Sequence, residues 1–276
     1  MVIMHNMASM NAQRQYNIVT GRKSKASEKL ASGYRINRAA DDAAGLSISE
    51  KLRWQARGLH QASDNSKTGV SVCQIADGAL AEVSDMLHRM TELSIQSAND
   101  TNTESDRQHI QAEINQLIMQ IDDISDKTSF NTMKIFTGDG NANDPLNLWI
   151  QSGAKEMEGM YIEIDKMNTE ILGIKDADVS TRDGAEEAIG LIQDALEKVS
   201  SNRSKIGAQQ NRLEYTIAND DNTAENTEAA ESRIRDTDMA EEMVNFSKEN
   251  ILQQAGQAMM AQANQSTQGI VTLLGQ

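Results

Sequence analysis

Apolar residues recur along most of the chain at alternating spacings of three and four positions. Two of these series are Ala76, Leu80, Val83, Leu87, Met90 and Ile110, Ile114, Leu117, Ile121, Ile124. A third series, nearer the C-terminus, is interrupted by Arg203 and Gln210, and polar residues in such a seam can fix the register of a partner helix. The spacing predicts long helices packed lengthwise over 43–99, 104–128 and 184–220.

The middle of the chain has a different pattern. Two short runs alternate between apolar and polar residues, LNLWIQ at 146–151 and MYIEID at 160–165, and turn-forming residues surround them. Alternation of this kind predicts a β-hairpin within the region 130–176. The predicted fold class is therefore mainly α, an elongated antiparallel helical bundle or coiled coil with a small β-hairpin region in the middle.

Three glycines, Gly58, Gly69 and Gly78, fall inside the first predicted helix of this bundle. Each should cost about 1 kcal/mol relative to alanine, so a reason for them is expected. Close packing against a neighbouring element is one reason, and a bendable seam is the other.

The two ends carry apolar residues without a charged outer face, and the segment 250–276 has no charged side chain. A helix alone in water normally covers its outer face with charged residues, whereas an assembly of many copies disfavours buried charge. We therefore expect both ends to become buried in an assembly. The expected self-assembly residues are Ile3, Met7, Met10, Ile251, Leu252, Met259, Ile270, Leu273 and Leu274.

Composition and charge narrow the class of partner. Only 3% of residues are aromatic, and the formal net charge is −15. Phosphate binding needs a basic surface, so we expect no nucleic-acid partner. The first sixty residues are nevertheless rich in Lys and Arg, which either steers one copy onto another or simply keeps the chain soluble.

The sequence contains no motif for catalysis, a metal or a cofactor. Its single cysteine and four scattered histidines do not form a ligand cluster, and glycine-rich phosphate loops and nucleophile motifs are missing. Cys73 stands in an apolar run and is predicted to be a small buried side chain. No segment has the ~18 apolar residues of a membrane span, and the N-terminus does not read as a cleaved secretory signal. We expect a non-enzyme with no membrane insertion.

Several blocks, in this order along the chain, resemble the bacterial flagellins. The N-terminal blocks are EKLASGYRINRAADDAAGLSISEKLR at 28–53, LHRMTELSIQSAND at 87–100 and IQAEINQLIMQIDDISDKTSFN at 110–131. The later blocks are IQSGA at 150–154, RIRDTDMAEEM at 233–243 and ILQQAGQAMMAQANQ at 251–265. The resemblance spans nearly the whole chain.

The resemblance implies a structural subunit of the flagellar filament that self-assembles through its terminal helices for motility. It implies an inner coiled-coil domain from residues 1–42 and 236–276 and a rod domain over 43–235, without outer variable domains. The implied partners are further copies of the chain, the flagellar cap and hook–filament junction proteins, a secretion chaperone and the type III export apparatus. The implied location is extracellular, in the filament.

The flagellin resemblance also implies host partners. Toll-like receptor 5 recognises a patch on the helical layer of flagellins, and the matching positions are Arg89, Leu93 and Glu113. The C-terminal Leu273 and Leu274 resemble the segment sensed by NAIP inflammasome receptors.

One alternative is the hook–filament junction protein, which shares flagellin-like helical ends at similar length. The blocks at 28–53 and 261–265 favour flagellin. An enzyme-bearing flagellin would need a protease insert, and an adhesive binding module would need an elaborated middle region; the sequence has neither.

Overall fold

The computed structural model describes residues 6–136 and 146–274, with side chains described as far as residue 266. The helices in this part of the chain are α1 (Met7–Ser32), α2 (Ala43–Ser97), α3 (Glu104–Lys127), α4 (Thr169–Leu172), α5 (Arg182–Arg235) and α6 (Met239–Leu274). The strands are β1 (Ser129–Phe130), β2 (Met133–Lys134), β3 (Leu146–Gln151) and β4 (Gly159–Ile164). The chain is mainly α with two small antiparallel hairpins, which confirms the predicted fold class.

The chain divides into two compact units. A terminal unit combines Met1–Trp54 with Asn226–Gln276, and a central unit spans Gln55–Glu225. The sequence predicted domain boundaries at 42/43 and 235/236, whereas the structure divides the chain inside α2 and α5.

The predicted seams form the core of the central unit. Leu80, Leu87 and Met90 of α2 and Ile114 and Ile121 of α3 are fully buried in one hydrophobic cluster. Ala188, Ile192, Ala195 and Val199 bring α5 into the same cluster. The helices therefore pack lengthwise, as a seam with alternating spacings of three and four requires.

The polar interruption of the α5 seam lies one residue from the predicted place. Arg203 is only half-buried, and its Nε donates to Asp77 Oδ1 of α2 at 2.8 Å. Asn202 is the buried residue instead, at 1% exposure, and its Nδ2 donates to the carbonyl of Asp165 at 3.2 Å. Gln210, the second predicted interruption, is also half-buried. The buried positions of α5 repeat every seven residues, as Ala188, Ala195 and Asn202, so residue 202 and not 203 is the seam position.

The second hairpin lies where the alternation predicted it. β3 and β4 pair antiparallel with Trp149 opposite Tyr161, and these two rings meet edge to face at 4.8 Å between centroids. The inner face of β4 places Ile162 and Ile164 in the core. Alternate residues of a strand point to opposite faces, so the same strand leaves Tyr161 exposed.

Side-chain amides from both long helices hold this hairpin. Asn65 Nδ2 of α2 donates to the carbonyl of Gln151, the last residue of β3, at 3.1 Å. Gln209 Nε2 of α5 donates to the carbonyl of Glu163 in β4 at 3.1 Å. Together with the Asn202 contact just after β4, these side-chain amides donate to main-chain carbonyls in both strand segments.

Close packing explains two of the three α2 glycines. A Cβ on Gly58 would lie 2.8 Å from the Cβ of Ala154, and one on Gly69 would lie 3.2 Å from Ile162 and 3.3 Å from Leu213. A Cβ on Gly78 would meet nothing within 4 Å, counting the described residues. Packing therefore accounts for Gly58 and Gly69, and leaves Gly78 without a steric reason.

Local signals set the helix ends. Thr103 caps α3 with a reciprocal capping box, in which Asp106 Oδ2 accepts from the Thr103 backbone N–H at 3.0 Å. The Thr103 hydroxyl also donates to Asp106 Oδ2 at 2.7 Å, and this bond, followed by the one from the backbone N–H, lowers the pKa of Asp106. Gly33 ends α1 in the left-handed conformation, with φ of 75°, where a Cβ would be strained.

Candidate functional site

The two terminal helices, α1 and α6, pack against each other in antiparallel orientation within the terminal unit. Asn6 Nδ2 donates to the Ala263 carbonyl at 3.0 Å, and Lys23 Nζ donates to Asn250 Oδ1 at 3.0 Å and Gln253 Oε1 at 2.8 Å. Numbers rise along one helix as they fall along the other, which fixes the direction.

Polar side chains make up much of this helix contact. The Tyr16 hydroxyl accepts from Gln257 Nε2 at 3.1 Å and from Gln253 Nε2 at 3.4 Å, and these bonds lower the pKa of Tyr16. Lys23 also lies over the ring of Phe246, 5.7 Å from its centroid. Sequence reasoning missed this contact, although Tyr16 is the only aromatic residue before residue 34 and could have drawn notice.

The expected self-assembly residues lie outside that contact where they are described. Met7, Met10, Ile251, Leu252 and Met259 are all exposed, to between 41% and 66% of their surface. The side chains of Ile3, Ile270, Leu273 and Leu274 lie outside the described residues. An apolar side chain left in water gains about 1.5–3 kcal/mol when it is buried, so these exposed side chains favour association.

A second exposed apolar stretch continues the same surface along α6. Met243, Val244 and Ile251, with Ser247 and Lys248, line an open groove of about 420 Å³. These positions recur at one, four, five and eight residues, which places them on one helix face. The sequence predicted only Ile251 of these as an assembly residue, although Met243 and Val244 lie at helical spacing from it.

The two linkers of the terminal unit, between α1 and α2 and between α5 and α6, are bound to each other. The Arg35 amide donates to the Arg235 carbonyl at 2.7 Å, and the Thr237 amide donates to the Gly33 carbonyl at 3.0 Å. Tyr34 pairs with Asp236 in an isolated β-bridge. Main-chain hydrogen bonds therefore fix the register between the end of α1 and the start of α6.

Arg235 is the centre of this linker contact. Its Nη1 donates to Glu50 Oε1 at 3.0 Å and lies 3.7 Å from Glu231 Oε1, and its guanidinium stacks over Tyr34 at 4.6 Å from the ring centroid. Only 13% of the Arg235 side chain is exposed. Glu231 lies four residues away, but the other two partners, Glu50 and Tyr34, lie about 185–200 residues away along the chain, so local sequence does not mark this contact.

Two of the three residues expected to form a recognition patch meet on the surface of the central unit. Arg89 donates to Glu113 Oε1 from Nε at 3.1 Å and from Nη2 at 2.9 Å, and it donates to Glu92 from Nη1 at 3.1 Å. The hydrogen bonds to Glu113 and Glu92 raise the pKa of Arg89, so it stays charged. Both Arg89 and Glu113 are exposed.

Leu93 does not share that surface. Its side chain is 2% exposed and belongs to the core cluster. Spacing of four residues places Leu93 near Arg89 along α2, but its side chain packs into the core. The structure therefore brings Arg89 and Glu113 together at the surface and buries Leu93.

One buried carboxylate stands out within the central unit. Asp220 of α5 is 6% exposed, and its Oδ2 finds no hydrogen-bond partner in the described part of the chain. Burial, and then the charges of Asp221 and Glu158, raise the pKa of Asp220. Such a group favours the protonated form and weakens the fold when charged.

No group of three or more His, Cys, Asp or Glu residues is placed to hold a metal ion, within residues 6–136 and 146–266. No helix in the described part of the chain is long and apolar enough to cross a membrane. Cys73 is fully buried, which confirms its prediction as a small core side chain, and burial raises its pKa to about 11.

Two family models match the chain. The model of the bacterial flagellin N-terminal helical region matches residues 3–141, and that of the bacterial flagellin C-terminal helical region matches residues 189–274. Over 99% of its length, the chain is 49% identical to a flagellin of Halalkalibacterium halodurans and 43% identical to the flagellar filament 31.3 kDa core protein of Treponema maltophilum. Both relatives are covered over 100% of their own length.

A solved structure is also similar in fold. A protein described as flagellar hook-associated, from Vibrio parahaemolyticus, aligns with 71% of the chain and 100% of its own length at a TM-score of 0.61. Its sequence identity is 14%, so the likeness concerns the fold alone.

Proposed function

Given that the chain belongs to the bacterial flagellin family, whose members are structural subunits of the flagellar filament, we propose that its copies join through the apolar faces of α1 and α6. The observation that carries this proposal is the exposure of Met7, Met10, Ile251 and Met259 on a helix pair. In a filament these side chains would leave water against neighbouring copies. Residues 1–42 and 236–276 would then form the inner coiled-coil domain, and residues 43–235 the rod domain.

Charge supports the same assignment. Basic and acidic residues nearly balance in the terminal unit, whereas acidic residues outnumber basic ones about two to one in the central unit. A nearly neutral surface can be packed against copies of itself without strong repulsion, and a strongly acidic one resists it. The terminal unit is therefore the better place for dense contact.

The assembly step that follows is burial at the growing tip. Each arriving copy would place its α1–α6 pair against pairs already in the filament and remove apolar area from water, at roughly 25 cal/mol per Å². The hydrogen bonds of Tyr16 and Lys23 to side chains of α6 would keep α1 and α6 paired during this step.

Deletion of residues 250–276 tests the proposal. The truncated chain should keep the urea unfolding transition of the central unit, because the buried core of that unit is untouched, and should form no filaments in negative-stain electron microscopy. Filaments from the truncated chain would refute the proposal.

A finer variant separates the apolar face from the presence of the helix. Ile251→Gln with Met259→Gln keeps helix-forming residues but removes apolar area, and should raise the concentration needed for assembly at least tenfold. The matched control is Met119→Gln with Met133→Gln, two exposed methionines of the central unit. Equal loss in both double variants would contradict a special role for the terminal face.

We further infer that the chain leaves the cell through the flagellar type III apparatus, with a secretion chaperone holding the α6 region beforehand and the cap and junction proteins bounding the filament. The exposed apolar face of α6 supports this, because it needs cover before assembly. The chain should stay intracellular in a strain that lacks the export apparatus; its appearance in the medium there would overturn the inference.

A second proposed role is binding to host Toll-like receptor 5 through Arg89 and Glu113, without direct contact from Leu93, which is buried in the core. The support is the exposed, charged pair on the α2–α3 surface. Arg89→Ala should lower receptor activation in reporter cells at least tenfold. Arg203→Ala, which removes another surface arginine paired with an acid of α2, is the control. Equal loss in both variants would count against the site.

Recognition by NAIP sensors is proposed for the C-terminal segment that includes Leu273 and Leu274. Replacing both leucines by alanine should reduce inflammasome activation by the delivered protein. Unchanged activation would remove the proposal.

The hook–filament junction alternative receives no comparable support. The likeness to the hook-associated structure is one of fold at 14% identity, whereas the two flagellar filament relatives described above match over 99% of the chain at 49% and 43% identity. Long filaments from the purified chain alone would separate the two.

A further inference from the structure

Methionines make up much of the exposed apolar surface of the terminal unit. Met7 and Met10 of α1 and Met239, Met243 and Met259 of α6 are each between 47% and 64% exposed. The two in α1 are three residues apart, and Met239 and Met243 are four apart, so each pair shares a helix face. The thioether sulfur of an exposed methionine is open to soluble oxidants.

The methionines of the central unit divide differently. Met90, Met160 and Met167 are buried in its core, at 5% exposure or less. Met119, Met133 and Met157 are exposed, as in the terminal unit. The central unit therefore supplies both a protected set and an exposed set for comparison.

We propose that the five exposed methionines of the terminal unit are oxidation sites in the unassembled chain, and that their conversion to sulfoxide blocks filament assembly. This inference rests on the proposed function, in which the same faces are buried between copies. The oxidant is a peroxide, and the other apolar side chains of these faces do not react with it.

The chemistry is a two-electron oxygen transfer. The thioether sulfur attacks one peroxide oxygen, an S–O bond forms, and the O–O bond breaks. Sulfur is oxidised by two electrons, and hydrogen peroxide is reduced to water. The product is polar and strongly accepts hydrogen bonds, so burying it without a donor costs free energy that the thioether did not cost.

The Cys73 thiol does not compete with the exposed methionines for peroxide. Cys73 is fully buried, and its thiol stays protonated at neutral pH because burial raises its pKa to about 11. The thiolate is the form that reacts with peroxides. Loss of assembly at low peroxide doses is therefore assigned to methionine.

The effect of peroxide should depend on whether it is added before or after filament assembly. A copy already in the filament holds these methionines against its neighbours, away from solvent, whereas a free copy exposes all five. Peroxide given before assembly should therefore block growth, and the same dose given to finished filaments should leave both the filaments and the five thioethers intact.

The experiment treats the purified full chain with graded hydrogen peroxide, reads each methionine by peptide mass spectrometry, and measures growth on filament seeds by sedimentation. Growth should fall at least fivefold as the five positions convert, and should return after treatment with methionine sulfoxide reductases. Full growth with the five positions oxidised would overturn the proposal.

Two leucine variants sharpen the assignment. The variant that combines Met7→Leu, Met10→Leu, Met239→Leu, Met243→Leu and Met259→Leu should keep growing after peroxide, because leucine preserves the apolar volume without a sulfur. The matched variant that combines Met119→Leu, Met133→Leu and Met157→Leu should lose growth like the parent chain. Equal peroxide sensitivity in both variants would overturn the inference.

Two further measurements distinguish failure of this proposal from failure of the leucine variant and from failure of the assembly proposal. If the untreated five-leucine variant fails to grow, the parent chain decides, since reductase treatment must restore growth in step with repair at the five positions and any mismatch sinks the proposal. Failure of the underlying assembly proposal has a different signature, namely filaments from the chain lacking residues 250–276.

Discussion

The two compact units of the chain differ in where they keep their apolar side chains. In the central unit, α2, α3, α5 and the second hairpin enclose a continuous core that includes Leu87, Ile114 and Ile192. In the terminal unit, the buried hydrophobic residues among those described are Ala26 and Ile36, while methionines, isoleucines and Val244 face outward. One unit has a hydrophobic core of its own, and the other leaves much of its apolar surface exposed.

The difference lies in what holds each unit together. Apolar burial dominates the central unit, as in most folded domains. Polar and ionic contacts hold the described part of the terminal unit, and they include the hydrogen bonds to Tyr16 and the ion pair of Arg235 with Glu50. Such contacts fix register well but contribute little net stability in water. The terminal unit is therefore well specified and weakly stabilised before assembly.

The largest expected effect comes from truncating one core residue and one terminal residue in the same way. Leu87→Ala should lower the free energy of unfolding by about 2–5 kcal/mol, because it leaves a cavity in the central core. Ile251→Ala should change it by less than about 0.5 kcal/mol, because Ile251 is exposed. Urea denaturation of the unassembled chain measures both.

Met119→Ala controls for the loss of any exposed apolar side chain from a helix, and should also leave the unfolding midpoint nearly unchanged. The comparison between the units would break if Ile251→Ala destabilised the unassembled chain as much as Leu87→Ala. Ile251 would then belong to a core that the free chain already has.

A smaller effect is expected from the linker contact. Arg235→Gln removes the hydrogen bond to Glu50 and the stacking on Tyr34, and a charge-assisted hydrogen bond contributes about 1.5 kcal/mol. Hydrogen exchange at the Arg35 and Thr237 amides should therefore become about tenfold faster, while exchange in the core helices stays unchanged.

The control for that variant is Arg38→Gln, in the linker between α1 and α2. Arg38 pairs with Glu28 at 3.0 Å, but its side chain is 74% exposed, against 13% for Arg235. Exchange at the two linker amides should not respond to this change. Equal acceleration in both variants would show that linker charge, and not the buried contact, sets the register.

The smallest effect is expected for Asp220, the buried carboxylate of the central unit. Asp220→Asn should raise the free energy of unfolding by about 1 kcal/mol at pH 7, because a buried carboxylate is replaced by a neutral amide. The folded-state pKa of Asp220 lies above its unfolded value, so its charge weakens the fold above that pKa and the penalty disappears below the unfolded pKa. The advantage of Asn should therefore shrink as the pH falls.

Asp194→Asn, at an exposed position of the same helix, is the control and should leave the free energy of unfolding nearly unchanged across the same pH range. An advantage of Asp220→Asn that grows on acidification would have the wrong sign for a buried carboxylate. The explanation by burial would then fail.

The periodic core was predictable from the sequence because its positions carry large apolar side chains. Leu80, Leu87 and Ile121 were assigned to seams and are fully buried, and the strand run 146–151 coincides with β3. The second strand begins at Gly159, one residue before the predicted run. Strong hydropathy with a clear period leaves few alternative placements.

The continuation of α5 to Arg235 was not predictable in the same way. Beyond residue 220 the buried positions are Ala224 and Thr227, small side chains that carry little hydropathy. The positions of Arg89 and Glu113 came from the family resemblance, whereas the burial of Leu93 is set by tertiary packing in the core. The Arg235 contact joins distant parts of the chain, which local patterns do not encode.

The amides that bind the second hairpin bear on how the chain behaves when it is crowded. A strand with free carbonyls is a template onto which a strand of another molecule can be added, and this is a common route to aggregation. Here Asn65, Gln209 and Asn202 already donate to the carbonyls of Gln151, Glu163 and Asp165. An intruding strand would have to displace these donors before pairing at those carbonyls, so the hairpin resists serving as a seed for misassembly.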